Sequence, residues 1–91
     1  MILTRDSAIP FLNELTVAPI TSSIRSIPSE VVLDIEDGMP HACAINFDHL
    51  QTVPKQKIGR RITTLSEEKL QQIGPAILFA LGLDEYLKLM G

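Results

Sequence analysis

Thr16-Val17-Ala18-Pro19-Ile20-Thr21 is an apolar run that stops at a hydroxyl. Val17, Ala18 and Ile20 read as buried strand residues, and Thr21 as the first group free to face solvent. Pro19 has no N–H to give to a ladder, so it places this strand at a sheet edge or at a bulge. Ser22, Ser23 and then Arg25 follow at once. Hydroxyls and a cation fixed at the end of a rigid strand suit a phosphate. The plainer alternative is a polar loop whose hydroxyls satisfy nearby backbone groups. Residue types alone leave both open.

Outward from this strand, Met1-Ile2-Leu3 reads as the end of another strand. Residues 6–14 read as a loop with Ile9, Phe11 and Leu12 packing inward. On the other side, 22–28 is a loop and 30–35 a strand centred on Val31, Val32 and Leu33. Residues 36–40 form a turn in which Gly38 supplies any positive φ. Strands follow at 41–47 and 50–54, joined by a bend at 46–49. One more short strand is expected at 57–64, around Ile58 and Ile62.

The period then changes. Thr64-Leu65-Ser66-Glu67 fits a capping box, and Glu67 and Glu68 suit the positive end of a helix. Leu70, Ile73, Ile77, Leu78 and Leu81 recur at helical spacing. Pro75 should kink or divide this helix, and Gly82 is a natural stop. Asp84 can cap a last turn through Leu89. About five short strands and a C-terminal helix predict a mainly β domain, a small barrel or sandwich, over residues 1–91.

At 91 residues the chain is one small domain. Such a domain buries only about 60% of its unfolded surface and is marginal alone. The composition is 45% hydrophobic with a mean hydropathy of +0.20. That excess of aliphatic residues points to self-association. Net charge is −3, but Lys55, Lys57, Arg60 and Arg61 hold half the basic residues, and no acid lies between Asp48 and Glu67. Such a stripe can track a phosphate backbone; it also suits an ordinary solvated loop. The single cysteine, Cys43, forbids an intrachain disulfide and fits a reducing cytoplasm. No secretory signal opens the sequence. The uncharged run 70–83 is too short to span a bilayer, so no membrane partner is expected.

His41, Cys43, Asp48 and His49 lack metal-site spacing, and no metal is expected. Cys43 reads as a small buried hydrophobe. Neither histidine has a nucleophile beside it in sequence. There is no nucleophile elbow, phosphate-cradling glycine loop or dinucleotide fingerprint, which excludes the common hydrolases, nucleotidases and dehydrogenases.

The segments ILTRD, TVAPIT, IPSEVVL, DGMP, CAINFDHLQTVPK, RRITTLS and ALGL occur in this order from Met1 to about Leu83. Together they resemble the PemK/MazF family of toxins from type II toxin–antitoxin systems. The tail, 84–91, lies outside the match. The resemblance implies an SH3-like β-barrel with a helix, a homodimer, a cognate antitoxin, and metal-independent cleavage of single-stranded RNA such as mRNA, with no cofactor. In that chemistry the RNA 2′-hydroxyl attacks its own neighbouring phosphate, so the enzyme orients the RNA, stabilises phosphorane charge and moves protons.

The family threonine after V-A-P-I aligns with Thr21. The resemblance thus makes Thr21 the catalytic, phosphate-contacting residue, acting by hydrogen bonding and not as a nucleophile. Ser22, Ser23, Arg25, Lys55, Lys57, Arg60 and Arg61 become candidate RNA contacts. Asn46, in the N-F-D bend, becomes a candidate groove residue. The family pattern also has a strand like R-G-E-I-W, a Gly-rich loop and R-P-V-L ahead of ILTRD, with that last Arg as the main catalytic cation. No residue here matches it, and Arg5 lies at the far end of the strand. The sequence as given therefore predicts a barrel incomplete at its N-terminus. It belongs to a longer protein, or to a shortened, non-catalytic relic that still binds antitoxin or a partner subunit. A toxin of the same fold directed at DNA gyrase is a further alternative.

Overall fold

In the computed structural model, which describes residues 1–59 and 63–85, the opening run does not stay in one sheet. It divides at Ala18-Pro19 into β1, Glu14–Val17, and β2, Ile20–Thr21. β1 pairs antiparallel with β5, Gln51–Pro54, with Leu15 opposite Val53. β2 pairs with β4, Cys43–Asn46, with Ile20 opposite Ile45 and Thr21 opposite Ala44. Pro19 sits at the corner. It has no N–H to donate, but its carbonyl accepts from the Asn46 N–H at 2.9 Å. The awkward proline thus marks where the chain changes partners.

The corner also resets which side chains face inward. Leu15 and Ala18 are buried, Val17 is half-buried, and Ile20, expected inside, is 41% exposed. Met1–Leu3 run antiparallel to β1: Ile2 bridges Val17, Leu3 N–H donates to the Thr16 carbonyl, and Ala18 N–H donates to the Met1 carbonyl. That agrees with reading Met1-Ile2-Leu3 as a strand end. Residues Asp6–Phe11 form a three-ten helix, not a loop. Side chains three apart eclipse in such a helix. Ile9 is half-buried, while Phe11 and Leu12, expected inward, are exposed.

β3, Glu30–Leu33, lies on the other side of β4, giving a second sheet in the order β2-β4-β3. Among the described residues the strands form these two separate antiparallel sheets and do not close into a ring. Val31 and Leu33 face Ile45 and Cys43 across the ladder. These four side chains form the core with Ala18, Met39, Phe47, Ile73 and Ala76.

The helix α1, Glu67–Ala80, packs on that core face through Ile73 and Ala76. Its cap is Ser66, not Thr64: the Ser66 hydroxyl accepts the Lys69 N–H at 3.2 Å. Glu67 and Glu68 occupy the first turn, where they oppose the helix dipole favourably. Pro75 does not divide the helix, which stops where Gly82 takes a φ of 72°. Of the apolar stripe, Ile73 is buried, Ile77 and Leu78 are half-buried, and Leu70 and Leu81 face solvent. Residues 83–85 are already helical, so Asp84 sits inside this last turn instead of capping it; the rest of the expected turn, from 86 onward, lies outside the described residues.

The expected strand at 57–64 is absent among the described residues. Lys55–Lys57 form a three-ten turn, and Ile58, Gly59, Thr63 and Thr64 join no ladder. Thr63 is engaged elsewhere: its hydroxyl donates to the Asp37 carbonyl at 2.8 Å.

Candidate active site

Because β2 and β3 each run antiparallel to β4, they are parallel to one another. The connection 22–29 must therefore carry the chain from one end of the sheet to the other. It reaches the face opposite the helix at Arg25, whose N–H meets the Glu30 carboxylate there. Alternation puts Thr21, Ala44 and Val32 on that face, with Glu30 and Asn46 two residues along. Ala44 is 0% exposed although it points away from the core.

Thr21 stands at the mouth of this loop, half-buried, with Ser22, Ser23 and Arg25 exposed beside it. Its backbone is held by the ladder to β4. Its Oγ1 accepts the Ser23 N–H at 3.1 Å. That bond is the local backbone satisfaction of the plainer reading, and it also fixes the oxygen in place. A hydroxyl that accepts in this way keeps its hydrogen for donation. The oxygen that satisfies the loop backbone therefore still has a hydrogen to give.

Arg25 is drawn in through its backbone. Its N–H donates to Glu30 Oε1 at 2.9 Å. Ser26, next in the chain, has a φ of 54°. Pro28 then opens a turn closed by the Glu30 N–H on the Ile27 carbonyl. Ser29 is buried and its hydroxyl donates to Asp48 Oδ2 at 2.5 Å. Glu30, the first residue of β3, is only 9% exposed.

Asn46 is 6% exposed, and its Oδ1 accepts the Asp48 N–H at 2.8 Å. It caps the three-ten turn Phe47–His49. The basic stripe sits apart from Thr21. Lys55 N–H donates to the Asn13 carbonyl, and its Nζ donates to the Ile9 carbonyl at 3.0 Å. This is the start of β1, seven residues along the chain from Thr21, or up to about 23 Å of extended backbone. Lys57 is exposed nearby. Arg60 and Arg61 lie outside the described residues. The structure therefore brings Thr21, Ser22, Ser23 and Arg25 together, and leaves Lys55 and Lys57 at the other end of the β1–β2 ribbon.

His41 begins no strand and turns its Nδ1 toward the Ala42 carbonyl. Cys43 is 1% exposed; burial pushes its thiol above the usual range, and nearby Asp37 adds to the effect. A shielded thiol of this kind is a poor nucleophile. Among the described residues no His, Cys, Asp and Glu side chains gather in a metal-binding group, and no helix is long and apolar enough to cross a membrane.

Residues 1–81 match the family described as PemK-like, MazF-like toxin of type II toxin–antitoxin system, and the chain belongs to that family. It is 36% identical over 84 residues to endoribonuclease MazF3 of Mycobacterium tuberculosis, covering 92% of this chain and 82% of the relative. Probable endoribonuclease MazF5 of the same organism is 36% identical over 78 residues, covering 85% and 72%. Among solved structures, M. tuberculosis toxin MazF-mt6 superposes with a TM-score of 0.85 at 34% identity, covering 90% of this chain and 83% of that one. A mycobacterial endoribonuclease bound to its cognate antitoxin shares the fold, with a TM-score of 0.79 at 22% identity over 91% and 79%.

Proposed function

We propose that this toxin is an endoribonuclease that cuts single-stranded RNA, with Thr21 as a phosphate-contacting residue. The 2′-hydroxyl of the RNA attacks the adjacent phosphorus and gives up its proton. The bond to the 5′-oxygen breaks, that oxygen takes up a proton, and a 2′,3′-cyclic phosphate remains. Thr21 donates its hydroxyl hydrogen to a non-bridging oxygen, which gains charge in the transition state. Ser22 and Ser23 offer further donors beside it, and Arg25 a cation. The carrying observation is the fixed Thr21 oxygen, held by the ladder at one end and by the Ser23 N–H at the other.

The register of Met1–Leu3 supports the same site. Met1 lies opposite Ala18, and Ile2 opposite Val17. A residue ahead of Met1 that continued this antiparallel run would pass Pro19, Ile20 and then Thr21. Among the described residues β2 is an edge strand of its sheet, with no strand on that side. The R-P-V-L arginine of the family pattern would thus arrive beside the Thr21 hydroxyl, where charge stabilisation and proton transfer are needed. Asn46 serves this site through the bend it caps, and Lys55 and Lys57 suit the outgoing RNA strand. A cognate antitoxin and a second copy of the chain are the expected partners, in the cytoplasm.

The test is cleavage of a single-stranded RNA transcript by the protein expressed from its whole reading frame, including any residues upstream of Met1. Cleavage is expected to persist in EDTA and to fall about 100-fold in Thr21→Ala, the scale of losing one preorganised donor. Unchanged cleavage in that variant removes Thr21 from the mechanism. Inhibition of DNA supercoiling with no RNA cut would instead assign the toxin to gyrase.

A further inference from the structure

The crossing loop hangs on a carboxylate that the RNA chemistry does not itself use. Glu30 opens β3, and its side chain points to the face that the loop reaches at Arg25. Oε1 accepts the Arg25 N–H at 2.9 Å. Oε2 is buried and has no hydrogen-bond partner among the described residues. A buried carboxylate oxygen without a partner is destabilising. An apolar side chain of the same size would avoid that cost, but it would release Arg25. The Thr21 ladder fixes the start of the loop and the Glu30 carboxylate fixes its middle, at Arg25. Between them lie Ser22, Ser23 and Ile24, and Arg25 is followed by Ser26 with its left-handed φ of 54°, a conformation that residues other than glycine keep only under constraint.

From this arrangement we infer that Glu30 is a positioning residue for RNA: its buried carboxylate clamps the Arg25 backbone and so presents the Ser22–Ser23–Arg25 surface to the phosphates next to the one held by Thr21. This rests on the reading of the chain as an RNA-cutting toxin. Glu30 does not reach the reacting phosphate itself. Two strand spacings across the sheet and two residues along it place its Cα about 12 Å from that of Thr21. Its action passes through the loop.

Two substitutions separate the clamp from other roles. Glu30→Gln keeps an acceptor for Arg25 and loses the charge, and a neutral bond of this kind is about half as strong. Glu30→Leu keeps the volume and loses the acceptor. Three properties are measured: hydrogen exchange of the Arg25 amide by NMR, affinity for a fluorescein-labelled, uncleavable 2′-O-methyl RNA of mixed sequence, and kcat and KM on an RNA transcript.

Wild type is expected to protect the Arg25 amide, Gln to protect it partly and Leu not at all. Affinity should follow the same order, with Leu about tenfold weaker than wild type, the effect of losing one charge-assisted bond. The loss should appear in KM, with kcat within about threefold. A Gln variant as damaged as Leu, or one losing kcat at unchanged KM, overturns the clamp, because it makes the carboxylate's charge or proton the essential feature. An unprotected Arg25 amide in wild type overturns it as well. Should the Leu variant not fold, wild type and Gln decide by the same criteria. If the protein cuts no RNA, the function proposed above fails, while Arg25 exchange and 2′-O-methyl RNA affinity still decide the clamp.

Discussion

Gly38 shows what a single residue holds in place. Its φ is 88°, and a Cβ built there would run into the Oγ1 and Cβ of Thr63. That hydroxyl donates to the Asp37 carbonyl and ties the segment before the helix to the turn before β4. Gly38→Ala is expected to cost about 2–4 kcal/mol, combining left-handed strain with overpacking. Urea denaturation should show it as a lower midpoint at unchanged slope. A loss of only about 1–2 kcal/mol would mean that Thr63 swings aside freely and left-handed strain alone remains; a midpoint within error of wild type would overturn both parts. The positive φ at Gly38 was legible from its place in Asp-Gly-Met-Pro, and the burial of Cys43 from its apolar neighbours. The clamp at Glu30 was not. In sequence Glu30 is only the first residue of the 30–35 strand, and its link to the loop, through the Arg25 N–H, appears only in the fold. The separation of Lys55 from Thr21 was equally hidden, because pairing and not chain order sets which end of a ribbon a residue occupies.

At the scale of elements, apolar patterning located β3, β4, β5 and the helix, and Pro19 marked a break in the first strand. It did not reveal that the two halves of that strand join different sheets, since a proline interrupts a ladder without naming the next partner. The strand expected at 57–64 does not form over its described residues: Ile58 follows a three-ten turn and Thr63 is held by the Asp37 carbonyl, while Arg60, Arg61 and Ile62 lie outside the described residues. The helix start moved because two hydroxyls compete. Thr64 satisfies the capping-box spacing with Glu67, yet the chain turns helical only after Ser66, whose Oγ accepts the Lys69 N–H. Ser66→Ala is therefore expected to remove about 1 kcal/mol, the usual worth of such a cap. In a domain of this size that lowers Tm by about 4–8 °C, measurable by circular dichroism. A loss below about 0.3 kcal/mol would show that Glu67 and Glu68 at the dipole, with Lys69 Nζ bonded to the Val32 carbonyl, start the helix without the cap.

For the whole molecule, the apolar excess in the composition reappears as exposed surface. Phe11 is 86% exposed, and Ile35, Phe79, Leu81, Leu70 and Ile20 also face solvent. Ile2, Ile20 and Leu70 line a single open cleft of about 680 Å³ with Met1, Met39 and Ile45. One small chain cannot cover so much aliphatic surface, and the core that it does bury is close to the minimum for independent stability. A second copy supplies cover without any change of fold, and binding restricted to the native state stabilises it by mass action. The melting temperature is therefore expected to rise with protein concentration, and sedimentation equilibrium to give a mass near twice the 10.0 kDa of the chain. At dilutions where the mass falls to that of one chain, Tm should fall with it. A concentration-independent Tm together with a monomer mass throughout would mean that the exposed apolar residues are tolerated singly. Their cover would then have to come from the antitoxin alone.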